Sequence, residues 1–205
     1  MTIRMLQLGV VWIAVALGLL PVAALAQDDP IGVRGVVEAL RDSTVVVKTR
    51  EGPSVEVRLA PGWGVSQLVR ADLADIKVGT YIGTAAEPRS DGTLEALEVL
   101  IFPEAMRGAG EGHRRWDLKP RSSMTNATVD AMVTGVKERI LTLAYKDGGR
   151  RIIVPQDVPI VTPVPGDVSM VVPGAPVFIL ARKQDDGSLA ASRVSVGKDG
   201  LVPPM

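Results

Sequence analysis

The residues best equipped for chemistry stand together near the middle of the chain: Glu111, His113, Arg114, Arg115, Trp116 and Asp117, with Lys119 and Arg121 just beyond. Guanidinium groups fork onto carboxylates and phosphates, and a tryptophan anchors a partner surface. His113, Arg114, Arg115, Trp116 and Arg121 are therefore candidates for docking a protein partner or an anionic ligand. His113 is the only histidine of the chain. It could meet a metal together with Glu111 or Asp117, or with a thioether from Met106 or Met124, although one histidine without cysteine falls short of the usual ligand sets. The plainest reading of the same segment is a solvated linker whose Trp116 packs onto a neighbouring domain. No metal and no cofactor is expected.

Catalytic patterns are missing. The sequence has no cysteine, no Gly-x-Ser-x-Gly elbow, no phosphate-cradling glycine loop and no His-Glu-x-x-His. Ser122 and Ser123 lie near His113 without a carboxylate placed to orient the imidazole. Asp185 and Asp186 sit at a turn, where aspartate is common for local reasons. The chain therefore reads as a non-enzyme. Asn126-Ala127-Thr128 matches a glycosylation acceptor, a frequent chance pattern.

Export is written at the N-terminus. Arg4 precedes an apolar run from Leu8 to Leu20, then Pro21 and small residues with Ala24 and Ala26 spaced for cleavage before Gln27. Residues 1–26 read as a signal peptide, and the absence of cysteine suits a bacterial periplasm better than a eukaryotic extracellular space. Removing that segment leaves 22 basic and 23 acidic side chains. Near-neutrality argues against nucleic acid and anionic membrane surfaces as partners. Only six aromatic residues follow the signal (Trp63, Tyr81, Phe102, Trp116, Tyr145 and Phe178), too few for a base-stacking platform. No second apolar run is long enough to span a membrane.

The elements that must position the central cluster come from an internal duplication. The 26 residues from Ile76 recur without a gap from Val171, with seven identities that include Gly79/Gly174, Asp91/Asp186, Gly92/Gly187 and Leu94/Leu189. Short β-branched runs broken by Gly, Asp and Pro give five predicted strands per copy. In the first copy these are IGVRGVVEAL, STVVVKTR, SVEVRLA, KVGTYIGTAA and GTLEALEVLIF. In the second they are ATVDAMVTGV, RILTLAYK, RRIIVP, APVFILARK and SLAASRVSV. Alternation puts Val45 and Val47 on one face and Lys48 on the other, as expected for sheets with one wet face. The spacing of Leu68, Val69, Leu73 and Ile76 is compatible with a short helix in the first copy. Its proline-rich counterpart, with Pro159, Pro163, Pro165 and Pro173, excludes one and reads as extended or irregular.

The expected architecture is all-β, two tandem five-stranded OB-like barrels or small sandwiches, at 31–103 and 128–198. A linker at 104–127 joins them and a tail at 199–205 follows. The residues Gly35, Val45 to Val47, Ile76 to Gly79 and Asp91 to Ala96, repeated as Leu141 to Leu143, Val171 to Gly174 and Asp186 to Ala191, carry a resemblance to exported bacterial OB-like domains of families of unknown function. It covers 33–102 and 129–197 and implies a scaffold, with no chemistry attached. The function expected is a periplasmic module for protein interaction in the cell envelope, or alternatively an accessory component binding a small ligand or metal ion. Exposed edge strands would also allow pairing between chains.

Overall fold

The computed structural model describes residues 30–135 and 139–205; the stretch read as a signal peptide lies outside the described residues. The strands are β1 (Ile31–Arg41), β2 (Thr44–Thr49), β3 (Ser54–Arg70), β4 (Tyr81–Pro88), β5 (Leu94–Ala96), β6 (Val99–Ile101), β7 (Gly112–Arg115), β8 (Ser123–Thr134), β9 (Arg139–Tyr145), β10 (Gly148–Ile153), β11 (Ile160–Pro165), β12 (Pro176–Lys183) and β13 (Leu189–Gly197). Single 3-10 turns stand at Leu73–Asp75, Glu104–Met106 and Val168–Met170. The chain is all-β, and its strands close into a five-stranded barrel.

That barrel is not made from one repeat. β1, β2 and β3 of the first copy pair in sequence, and the ring closes through β12 and β13 of the second. β1 runs antiparallel to β12, β12 to β13, and β13 lies parallel to β3. The remaining strands pair reciprocally: β8, β9 and β10 of the second copy join β4 and β5 of the first, with β10 parallel to β5. Each ring thus takes three strands from one copy and two from the other, where the sequence suggested that each copy would close on itself.

Two matched clasps fasten the exchange. Val37 in β1 donates its N–H to the Ala175 carbonyl (2.9 Å) and accepts from the Gly174 N–H (2.8 Å). Val129 in β8 does the same with Thr80 (2.9 Å) and Gly79 (2.8 Å). Gly79 and Gly174 adopt φ of +91° and +87°, a conformation in which a Cβ is disfavoured, and this explains why the duplication preserves both.

β3 and β11 cross at the centre. They pair antiparallel with Leu68 opposite Pro163, and these two residues are themselves equivalent positions of the duplication. The pseudo-two-fold axis therefore passes through this pair. The tolerated prolines follow from the pairing, since β6 covers only Ile160 and Val161 of β11, leaving Pro163 and Pro165 with one strand neighbour.

The stretch compatible with a short helix is mostly strand. Residues to Arg70 extend β3, and only Leu73–Asp75 makes a single 3-10 turn. The reason is tertiary: β3 is held by β11 on one side and β13 on the other over Ser66 to Leu68. The equivalent turn at Val168–Met170 shows that the two copies follow the same path here despite the prolines.

Three apolar clusters result among the described residues. One fills the first ring around Val45, Val47, Val57, Val177 and Ile179. A second fills the other ring around Ile82, Val129, Leu141, Leu143 and Ile152. Each fully buried Val, Leu or Ile contributes about 1.5–3 kcal/mol relative to exposure. The third lies between the rings and joins Leu68, Leu100, Val161, Phe178, Leu201 and Met205, with Phe102 and Trp116 packed against it. The functional candidate belongs to this seam.

Candidate functional site: a cavity on the seam

The segment between the copies is folded onto the seam. β7 pairs with β8, placing His113 opposite Thr125 and Arg114 opposite Met124. Beyond it the chain doubles back: the Trp116 N–H donates to the Ser122 carbonyl (3.0 Å), and Ser122 Oγ donates to the Trp116 carbonyl (2.9 Å). Asp117 then latches this loop to β1, accepting from the Gly32 N–H (2.8 Å) and from Arg34 Nη2 (2.7 Å). The Trp116 ring turns inward, 6.3 Å from Phe178 between centroids, with the guanidinium carbons of Arg34 and Arg114 at 5.8 and 5.7 Å from its own.

Beneath Trp116 lies a cavity of about 250 Å³, room for roughly eight water molecules' share of liquid volume. Its wall is mainly apolar, with Leu68, Leu100, Phe102, Met124 and Phe178 prominent. The pseudo-axis runs close by, so equivalent positions of the two copies line it with different side chains. Gly83 answers Phe178, Leu100 answers Ser195, and Glu98 answers Arg193. The repeat supplies the shell and the divergence supplies the lining.

Glu98 is the most consequential of these residues. Its side chain is fully buried, and among the described residues neither carboxylate oxygen has a hydrogen-bond partner. Burial pushes its carboxyl up to about 8, against the pull of Arg34 and Arg50. Neither arginine hydrogen-bonds Glu98. Arg34 binds Asp117 and the Met205 carbonyl, and Arg50 donates to the Pro203 carbonyl (2.6 Å). Arg193, exposed at the rim, donates to Ser66 Oγ (3.0 Å) and makes no ion pair among the described residues.

Two further buried polar atoms on this wall lack partners among the described residues, Trp116 Nε1 and Asn126 Oδ1. Asn126 is 6% exposed and its amide donates to the Ala109 carbonyl (2.9 Å), so the apparent glycosylation acceptor is an interior side chain. Gly83 stands between β8 and β6, opposite Asn126 on one side and Leu100 on the other. A Cβ at Gly83 would come within 2.8 Å of Asn126 Oδ1 and 3.0 Å of Phe102. The glycine keeps this part of the cavity open.

The central cluster is dispersed by the same fold. His113 Nδ1 hydrogen-bonds Thr125 Oγ1 (2.8 Å), and burial together with Arg150 and Arg114 holds its pKa below the ordinary value. Glu111 accepts from the Lys146 N–H (3.0 Å), and Asp117 is committed to β1. The three metal candidates are thus separated, and no group of three or more His, Asp or Glu residues converges among the described residues. Met106 and Met124 line the cavity instead. Arg114, Arg115 and Arg121 share a shallow outer depression with His113.

Of the residues lining the cavity, the sequence singled out Arg114 and Trp116 as docking candidates and Asn126 only as a glycosylation acceptor, and gave no role to Glu98, Gly83 or Arg193. A signal for Glu98 existed: Leu94, Ala96, Glu98 and Leu100 share one parity and all are buried, so an acid falls where strand alternation points inward. No protein-family model, curated protein or solved structure matches this chain.

Proposed function

We propose that this protein is an exported, non-enzymatic binding module that holds a small, largely apolar molecule with a polar end in the cavity on the seam between the two repeats. One observation carries the reading: an apolar cavity whose wall holds buried polar atoms with no partner among the described residues. Leaving such atoms unpaired costs about 1–3 kcal/mol each, a deficit that a bound molecule relieves. Trp116, Phe178 and Phe102 supply the apolar contact, while Arg114 and Arg193 stand at the lining with charged heads. The periplasmic setting rests on the N-terminal residues alone. The alternative of a protein-docking module is favoured by a different observation, the shared depression of His113, Arg115 and Arg121; the interior site makes the small-ligand reading the stronger.

NMR titration of the purified protein with toluene tests it. Saturable shifts are expected at the Trp116 indole N–H and in β4 and β6, and Gly83→Ala, which crowds Asn126, should weaken them. Absence of a saturable shift, or indifference to Gly83→Ala, contradicts the proposal.

A further inference from the structure

The polar atoms of the cavity are unequal in kind. Once Glu98 is ionised, three are acceptors, its two oxygens and Asn126 Oδ1, and one is a donor, Trp116 Nε1. Asn126 Oδ1 is left as the free acceptor because its amide nitrogen is spent on Ala109. Gly83, opposite Asn126 and opposite Leu100, lies one strand from each, and Glu98 enters two residues before Leu100. The acceptors therefore flank β4 on its two sides, Asn126 on β8 and Glu98 in the break between β5 and β6, with a bare glycine backbone between them.

We infer that the cavity is built for a small primary amine on a short apolar chain, its ammonium donating to Glu98 and Asn126. This rests on the small-ligand reading above and narrows it. An ammonium brings three donors and no acceptor, matching three acceptor atoms; a hydroxyl brings a single donor, and a carboxylate brings none. The charge matches as well. A buried carboxylate without a counter-ion is costly, and a bound cation converts it into a paired one. Arg34 and Arg50 pull on that carboxylate from a distance, but the side-chain hydrogen bonds of Arg34, Arg50 and Arg193 go to Asp117 and the Met205 carbonyl, the Pro203 carbonyl, and Ser66, which leaves direct pairing with Glu98 to a ligand. The volume, about 250 Å³, suits a chain of about six carbons on the scale of molecular volumes in liquids. Because burial keeps the Glu98 carboxyl protonated near neutrality, seating an ammonium there releases a proton to solvent, which simple apolar binding does not.

Calorimetric titration with hexylamine, 1-hexanol and hexanoate at one pH separates the outcomes. Hexylamine should bind roughly tenfold or more tightly than either chain-matched probe, as expected for a charge-assisted hydrogen bond. Glu98→Gln should abolish that preference, bringing hexylamine to the level of 1-hexanol in the same variant. Repeating the hexylamine titration in two buffers of different ionisation enthalpy should show release of up to about one proton at neutral pH, lost in Glu98→Gln. Binding of 1-hexanol as tight as hexylamine, or no proton release, overturns the amine assignment and leaves the cavity reading standing. If none of the three probes binds, both fall.

Discussion

At the scale of single residues, Glu98 dominates. In the unfolded chain its carboxyl titrates near 4.5, and in the folded chain near 8. The folded state thus retains a proton that the unfolded state has lost between those values, so this group's contribution weakens stability as pH rises from about 4.5 to about 8 and changes little above. Arg34 and Arg50 pull against this shift without cancelling it. Glu98→Gln cannot ionise. Chemical denaturation should find it close to the parent near pH 4 and more stable near pH 9, by at most on the order of 5 kcal/mol. A constant difference across that range would contradict an unpaired buried carboxyl.

At the scale of elements, the clasps and turns carry the exchange. Gly79 and Gly174 have open space where a Cβ would stand, so their substitution cost is conformational only. Gly79→Ala and Gly174→Ala should each cost about 1–2 kcal/mol, and equal losses in the two are expected from their equivalent clasps. Much at this scale was legible in the residues. The alternation of Val45 and Val47 against Lys48 gave a buried face, and Asp186 gave a turn tip, where it accepts from the Ser188 N–H two residues on (2.9 Å), as Asp91 does from Thr93 (3.0 Å). Leu68 to Ile76 misled because helical spacing over a few residues is weaker than the demand of two flanking strands. Glu98 escaped because an acid is expected to face solvent, and that expectation outweighed the buried parity it shares with Leu94, Ala96 and Leu100.

At the scale of the whole molecule, the duplication was legible but its pairing was not. Both copies carry the same pattern in their last two strands, so either set satisfies the apolar face of either ring, and nothing in the pattern distinguishes closure within a copy from exchange between copies. The exchange has two consequences. Neither copy contains a complete ring, so residues 30–103 and 104–205 produced separately should each lack cooperative thermal unfolding and regain it on mixing; a fragment that unfolds cooperatively alone would contradict the reciprocal pairing. The parallel contact of β13 with β3 also joins positions more than a hundred residues apart, which predicts slow folding for a chain of this size.

Exchange also creates the seam, and with it a cavity lined by equivalent positions that have diverged into Gly83 and Phe178, Glu98 and Arg193. A crystal of the full chain soaked with hexylamine examines this interior directly. The amine should occupy the cavity with its nitrogen within hydrogen-bond distance of Glu98 and Asn126 and its chain against Leu100, Phe102 and Phe178. A cavity without density, or an amine bound only on the outer surface, would contradict it.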